Sequence, residues 1–239
     1  MRLLCFPHAG GSASSYFPLS KQLAPEVEVH AVQYPGRQDR RNEACVDDIS
    51  ELAERICEAV SLSPEKPTAF LGHSMGAILA YEVARRLQRR GEGVPVHLFV
   101  SGRRAPSRPR REEIHRRGDT GLITEIRRLG GTDQRFLDDD ELRAIILPML
   151  RADYTAIETY TWDPAPMLEC PLTALVGDAD PSTTVEEASA WREQTVSGFD
   201  IRVFPGGHFF LDANRSEVAA TITSALSHTV SASSQGRNR

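Results

Sequence analysis

The stretch Gly72-His73-Ser74-Met75-Gly76 constrains this chain more than any other, because it sets a serine between glycines at the junction of two periodicities. The apolar run Ala69-Phe70-Leu71 precedes it. After it, Ala80, Val83, Ala84 and Leu87 recur at helical spacing while Glu82, Arg85, Arg86, Gln88 and Arg89 take the other face. A strand that turns this sharply into a helix leaves no room for side chains at the flanking positions, and it lifts the serine hydroxyl clear of a sheet beside a helix N-terminus. Three fixed positions in five also recur by chance as tight turns, so the rest of the chain must decide.

Acyl transfer by a serine so placed requires an acid and then a histidine downstream, each in a loop after a strand. Leu172 to Val176 reads as a buried strand ending at Gly177-Asp178-Ala179-Asp180-Pro181, and Ile201 to Phe204 as a strand ending at Pro205-Gly206-Gly207-His208. The order predicts Ser74 as nucleophile, His208 as the base that takes its proton, and an aspartate that holds the imidazole tautomer and stabilises the imidazolium. Asp180, three residues after Gly177, is preferred for that role, with Asp178 as the alternative that would otherwise cap the turn. The negative charge developing on the carbonyl oxygen needs two backbone donors. Met75 follows the nucleophile and is one; Ala9, in the loop Pro7-His8-Ala9-Gly10-Gly11 after the apolar run Leu3 to Phe6, is the other. His8 in that loop is expected to shape the hole rather than to act as a second base.

With 239 residues and 40% hydrophobic content the chain can bury one large core. No run approaches the roughly 20 apolar residues of a membrane span and the start does not read as a signal peptide, so a cytoplasmic protein is expected, with a monomer as the default. Cys5, Cys45, Cys57 and Cys170 are scattered without metal-ligand spacing, and no dinucleotide or Walker fingerprint is present. Neither metal nor cofactor is expected, and serine acyl transfer needs none. Net charge is −5, yet Arg103 to Arg128 holds nine arginines against Glu112, Glu113, Asp119 and Glu125. That asymmetry could steer an acidic partner or belong to a plain solvated surface. Nucleic acid is not expected, since the segment lacks interleaved aromatics.

Strand-like runs at Leu3 to Phe6, Val27 to Val32, Ala69 to Leu71, Val96 to Val100, Thr173 to Val176 and Ile201 to Phe204 alternate with helical patterns. This predicts an α/β fold of the α/β-hydrolase type, a mostly parallel central sheet covered by helices on both faces. Between Ser101 and Cys170 only helical stretches appear: one with Leu122, Ile123, Ile126 and Leu129, one from Glu141 to Leu150, and one through Tyr154, Ile157 and Tyr160. They predict a helical lid over about residues 105–165, within one catalytic domain over 1–226. The Ser/Gly/Arg-rich tail, 227–239, is expected to be disordered.

Taken together, Cys5-Phe6-Pro7-His8-Ala9-Gly10-Gly11, Gln33-Tyr34-Pro35-Gly36-Arg37, the elbow, Ser101-Gly102-Arg103-Arg104-Ala105-Pro106, Leu129-Gly130-Gly131-Thr132, Asp153-Tyr154 and Pro205 to Leu211 resemble the type II thioesterases. These are the free-standing editing enzymes of polyketide synthases and nonribosomal peptide synthetases. The resemblance implies hydrolysis of unproductive acyl groups from the phosphopantetheine thiol of acyl or peptidyl carrier proteins. It implies a triad falling on Ser74, Asp180 and His208, with hole donors at Ala9 and Met75. Because carrier proteins are acidic, it also lends weight to Arg103, Arg104, Arg108 and Arg111 as a docking surface. One departure is the start, where Leu3 opens the first strand and relatives carry a further stretch before it; this bears on stability more than on catalysis. Two competing readings are a non-catalytic binding module of the same fold and an oxygen esterase with the same triad.

Overall fold

The structure, a computed structural model, describes residues 1–236 apart from 64, 132–136 and 165, with backbone alone for 228–236. Thr132 of the sequence motif therefore lies outside the described residues. Six strands, β1 (Arg2–Phe6), β2 (Glu28–Ala31), β3 (Thr68–His73), β4 (Leu98–Ser101), β5 (Leu172–Gly177) and β6 (Phe199–Phe204), form one sheet in the order β2-β1-β3-β4-β5-β6. Every neighbouring pair runs parallel. The order reverses between β1 and β3, and in such sheets the crevice beyond the carboxyl ends at that reversal is where ligands bind. The loop holding Ala9 leaves β1 and the one holding Ser74 leaves β3, so topology alone brings them together.

The central strands β3, β4 and β5 are buried on both faces, which explains why they read as continuous apolar runs, while the edge strands β2 and β6 are partly exposed. Successive side chains still point to opposite faces. Phe70, Leu172, Ala174 and Val176 join a core with α2 (Ile49–Ala59) and α3 (Met75–Arg90), whereas Ala69, Leu71 and Leu175 join one with α1 (Phe17–Leu23) and the final helix. Part of the polar face of α3 is not a solvent face: Glu82 and Arg85 are buried, and Tyr160 Oη donates to Glu82 Oε1 at 2.8 Å while Arg85 Nη2 donates to the Asp163 carbonyl at 2.8 Å. The chain returning from the insertion covers that face, an arrangement no local pattern encodes.

Between β4 and β5 lie α4 (Asp119–Leu129) and α5 (Asp140–Thr159). Two separate helices are expected across 141–160; the structure has one, with Pro148 inside it. Proline removes one backbone hydrogen bond and crowds the preceding turn. Here Asp139 caps the start, accepting from Glu141 and Leu142 N–H, and Leu150 and Tyr154 are locked into a third apolar cluster with Leu122, Ile123 and Ile126. Packing outweighs the local break. After β5 come α6 (Val185–Ser189) and, beyond β6, α7 (Phe210–Ala213) and α8 (Arg215–Gly236). The backbone of α8 is helical to Gly236, and residues 237–239 lie outside the described ones. No proline or glycine interrupts the stretch from Arg215 to Gln235, so nothing in its backbone chemistry forces an earlier end.

His97, just before β4, is buried, its Nε2 2.8 Å from Thr173 Oγ1 and its ring stacked on Phe99 at 4.3 Å. Burial pushes its pKa down to about 4. An unfolded chain protonates near 6.5 while the fold resists, so the stability His97 contributes is lost as pH falls from about 6.5 towards 4. Urea denaturation at pH 7 and pH 5 should show this loss shrinking by about 1 to 2 kcal/mol in His97→Gln. An unchanged loss would refute the assignment.

Candidate active site

Ser74 occupies a backbone conformation that side chains rarely adopt, φ 55° and ψ −116°, between the last residue of β3 and the first of α3. Such a residue carries about 1–3 kcal/mol of strain and persists only where its surroundings impose it. They do so by close approach. A Cβ on Gly72 would stand 2.1 Å from the Gly76 carbonyl oxygen, and one on Gly76 would stand 2.0 Å from that of Phe6 in β1. The two glycines thus let the start of α3 press onto β1 and β3, and Ser74 N–H donates to the Ser101 carbonyl of β4 at 2.8 Å.

His208 follows β6 and is 3% exposed. Its Nδ1 lies 2.9 and 3.1 Å from the two carboxylate oxygens of Asp180, whose side chain is inaccessible to solvent. Asp180 Oδ1 also accepts from Ser182 N–H at 2.8 Å, so the carboxylate is oriented from behind. Asp178 points elsewhere, its Oδ1 accepting from Gly206 N–H at 2.8 Å across the β5 and β6 turns. Of the two aspartates, Asp180 alone touches the histidine. Ser74 Oγ and His208 are not hydrogen-bonded to each other here, which is common without substrate. They line the same cavities.

The loop after β1 comes to the same place. Ala9 and Met75 both line a cavity with Ser74 and His208, and neither backbone N–H has a partner among the described residues. His8 packs edge-on against Phe209 at 4.8 Å and lies 5.9 Å from the ring of His73. Burial above all, with the Arg37 guanidinium nearby, lowers the pKa of His8 to about 4. His73 is held by Ser101 Oγ at 3.0 Å from Nδ1, a contact across two strands that the sequence does not disclose. It is likewise kept neutral by burial.

Two cavities meet at Ser74, sharing Ala9, Leu129, Tyr154 and His208. One, of about 630 Å³, runs beneath Arg103, Arg104, Arg108, Arg110 and Arg111; the other, of about 650 Å³, runs under Ile126, Ile145, Ile146, Met149 and Leu150 of the insertion. Most of the arginines are paired. Arg104 meets Glu112 at 2.9 Å, Arg108 meets Glu193 at 2.5 Å, Arg110 meets Glu187, and Arg128 meets Glu125 at 2.6 Å. Arg103 and Arg111 have no side-chain partner among the described residues. Two of these acids, Glu187 and Glu193, come from beyond β5, so the excess positive charge of this segment is offset in part from outside it.

Asp153 of α5 is a site feature that local reading misses. It is 1% exposed, accepts from Gly10 N–H at 2.7 Å, and is paired with the buried Arg37. The partners lie 143 and 116 residues away, and only the recurrence of Arg37 and Asp153 among the motif residues hints at them. Among the described residues no group of His, Cys, Asp and Glu could hold a metal ion, and no helix is long and apolar enough to cross a membrane.

The thioesterase domain family matches residues 1–226. The chain is 53% identical over 226 residues to a probable cadicidin biosynthesis thioesterase of Streptomyces griseus, a match covering 95% of this chain and 62% of that protein, so it spans just under two thirds of that relative. It is 48% identical over 227 residues to thioesterase PikA5 of Streptomyces venezuelae, covering 95% and 81%. The solved type II thioesterase BorB, from the borrelidin biosynthetic cluster, superposes with a TM-score of 0.85 at 46% identity, covering 93% of this chain and 91% of that one. With an elbow serine at the carboxyl ends of a parallel sheet and a family match over nearly its whole length, the chain belongs to the thioesterase domain family and has the α/β-hydrolase fold.

Proposed function

We propose that the chain is a type II thioesterase that removes short acyl groups from the phosphopantetheine thiol of acyl or peptidyl carrier proteins, serving a polyketide or nonribosomal peptide synthase. The observation that carries the mechanism is the buried Asp180 carboxylate bonded to His208 beside the cavity that also holds Ser74. His208 takes the Ser74 proton as Oγ attacks the thioester carbonyl, and Asp180 holds the imidazole so that Nε2 is the accepting nitrogen. The N–H groups of Ala9 and Met75 receive the developing oxyanion. The tetrahedral intermediate collapses with loss of the thiol, and a water activated by His208 then releases the acid from Ser74. A thiol with a pKa of about 8.5 leaves more readily than an alkoxide, so a modest base suffices.

The two-armed cavity supports a division of labour. The arm lined by Ile126, Ile145, Ile146, Met149 and Leu150 suits an acyl chain, and the arginine-lined arm suits the pantetheine side of the substrate. Because Arg104, Arg108 and Arg110 are engaged with glutamates and Arg103 is partly buried, the exposed Arg111 is the better candidate for contact with an acidic carrier.

The experiment compares kcat/KM for a propionyl carrier protein with that for p-nitrophenyl propionate. The thioester on its carrier should be favoured by at least about tenfold, even though p-nitrophenoxide is the better leaving group. A clear preference for the oxygen ester would instead assign an esterase.

A further inference from the structure

The loop that presents Ala9 is held at its edges by four hydrogen bonds. Tyr16 Oη donates to the Phe6 carbonyl at 2.8 Å, Tyr34 Oη to that of Pro7 at 3.1 Å, and Gly11 N–H to that of His8 at 2.8 Å. Those three partners lie in the first 34 residues of the chain. The fourth does not: Gly10 N–H donates to Asp153 Oδ2 at 2.7 Å, and Asp153 sits on α5 within the insertion.

We propose that Asp153 is a positioning residue for the oxyanion hole, aiming the Ala9 N–H by holding the next peptide plane through Gly10. The proposal rests on the reading of Ala9 as a hole donor. The peptide planes on either side of the Ala9 Cα are joined only by its φ and ψ, and glycine at position 10, with φ 79°, offers the second plane little resistance to turning. A carboxylate on its N–H removes that freedom.

The surroundings fit a clamp built for this purpose. A carboxylate 1% exposed must be neutralised, and Arg37, itself 5% exposed, does so through Nη2. Arg37 is anchored by Nη1 on the Pro35 carbonyl at 2.7 Å and lies over the ring of Tyr34 at 5.1 Å, the tyrosine that also holds Pro7. Three residues before Asp153 on α5, Leu150 packs onto the same glycine, with its Cδ2 2.4 Å from where a Cβ on Gly10 would stand. The Tyr34-Pro35-Gly36-Arg37 stretch and Asp153 are therefore two halves of one device around Pro7 to Gly11. It follows that the hole is complete only while α5 is seated.

A pair that merely fastened the insertion to the body would affect stability and leave catalysis in surviving molecules unchanged. The two roles separate in a pair of double variants in which no buried charge is left unpaired. Asp153→Leu with Arg37→Met removes the acceptor; Asp153→Asn with Arg37→Gln keeps an amide oxygen for Gly10 N–H. In folded protein, kcat for a propionyl thioester should fall by about 10- to 100-fold in the first variant, less than the loss of a whole hole donor, with KM little changed. The second should recover most of that loss. Affinity for a trifluoromethyl ketone, whose adduct with serine bears an oxyanion, should fall in parallel with kcat/KM, while affinity for the unreactive thioether analogue stays level. A kcat within about threefold of the parent in the first variant, or equal losses for ketone and thioether, would overturn the proposal. Ser74→Ala in parallel distinguishes the two levels: if it is inactive while the Asp153 variant is fully active, only the positioning role fails, and if it is active the underlying mechanism fails as well.

Discussion

Ser74→Ala is expected to lower kcat for an acyl thioester by about 10⁵- to 10⁶-fold, the largest single effect any substitution in this protein should produce. In the proposed mechanism Oγ is the attacking atom, and alanine would leave only what the hole and substrate binding supply. The fold should survive, because alanine meets the same backbone demand at φ 55° as serine does and the glycines that impose it are untouched. His208→Ala should cost nearly as much, and the double variant little more than either alone, since the two act as one unit. Single-turnover measurement with a radiolabelled acyl carrier protein would check this, with mass spectrometry for an acyl adduct on the parent enzyme. Retention of more than about a hundredth of parental activity in Ser74→Ala would sink the serine mechanism.

Asp180→Asn should reduce kcat by about 10⁴-fold, whereas Asp178→Asn should stay within a few-fold of the parent. An asparagine at 180 can present its amide N–H to His208 Nδ1, which drives the ring proton to Nε2 and leaves no lone pair there to receive the serine proton. Ser182 N–H would still find an oxygen, so the loop has no reason to collapse. At 178 the side chain accepts from Gly206 N–H, and an asparagine oxygen can do the same. Measuring kcat across pH for both variants provides the check. Comparable losses at the two positions would mean that the turn, and not the imidazole, is what the acid supports.

The six strands, the elbow and the approximate place of the insertion are legible in the sequence because each is a short-range pattern. An apolar run between turn residues is a strand wherever it packs, and glycines on both sides of Ser74 have no cheaper explanation than close backbone approach. The single helix across Pro148 is not legible, because a local break competes with Leu150 and Tyr154, whose value depends on Leu122 and Ile126 far earlier in the chain. The burial of Glu82 and Arg85 fails for the same reason: their cover comes from Tyr160 and Asp163.

What the sequence by itself determined is the inventory: a serine on a strained turn, an acid and a histidine in the right order after strands, and a glycine-containing loop after the first strand. Order and spacing carry that much, because strand, turn and helix are decided by neighbours along the chain. Only the tertiary structure decided which aspartate reaches His208, which arginines are already neutralised, and that Asp153 of the insertion reaches Gly10. Those are matters of a few ångströms between residues up to 143 positions apart, and they arise when the sheet brings the ends of β1, β3, β5 and β6 to one edge.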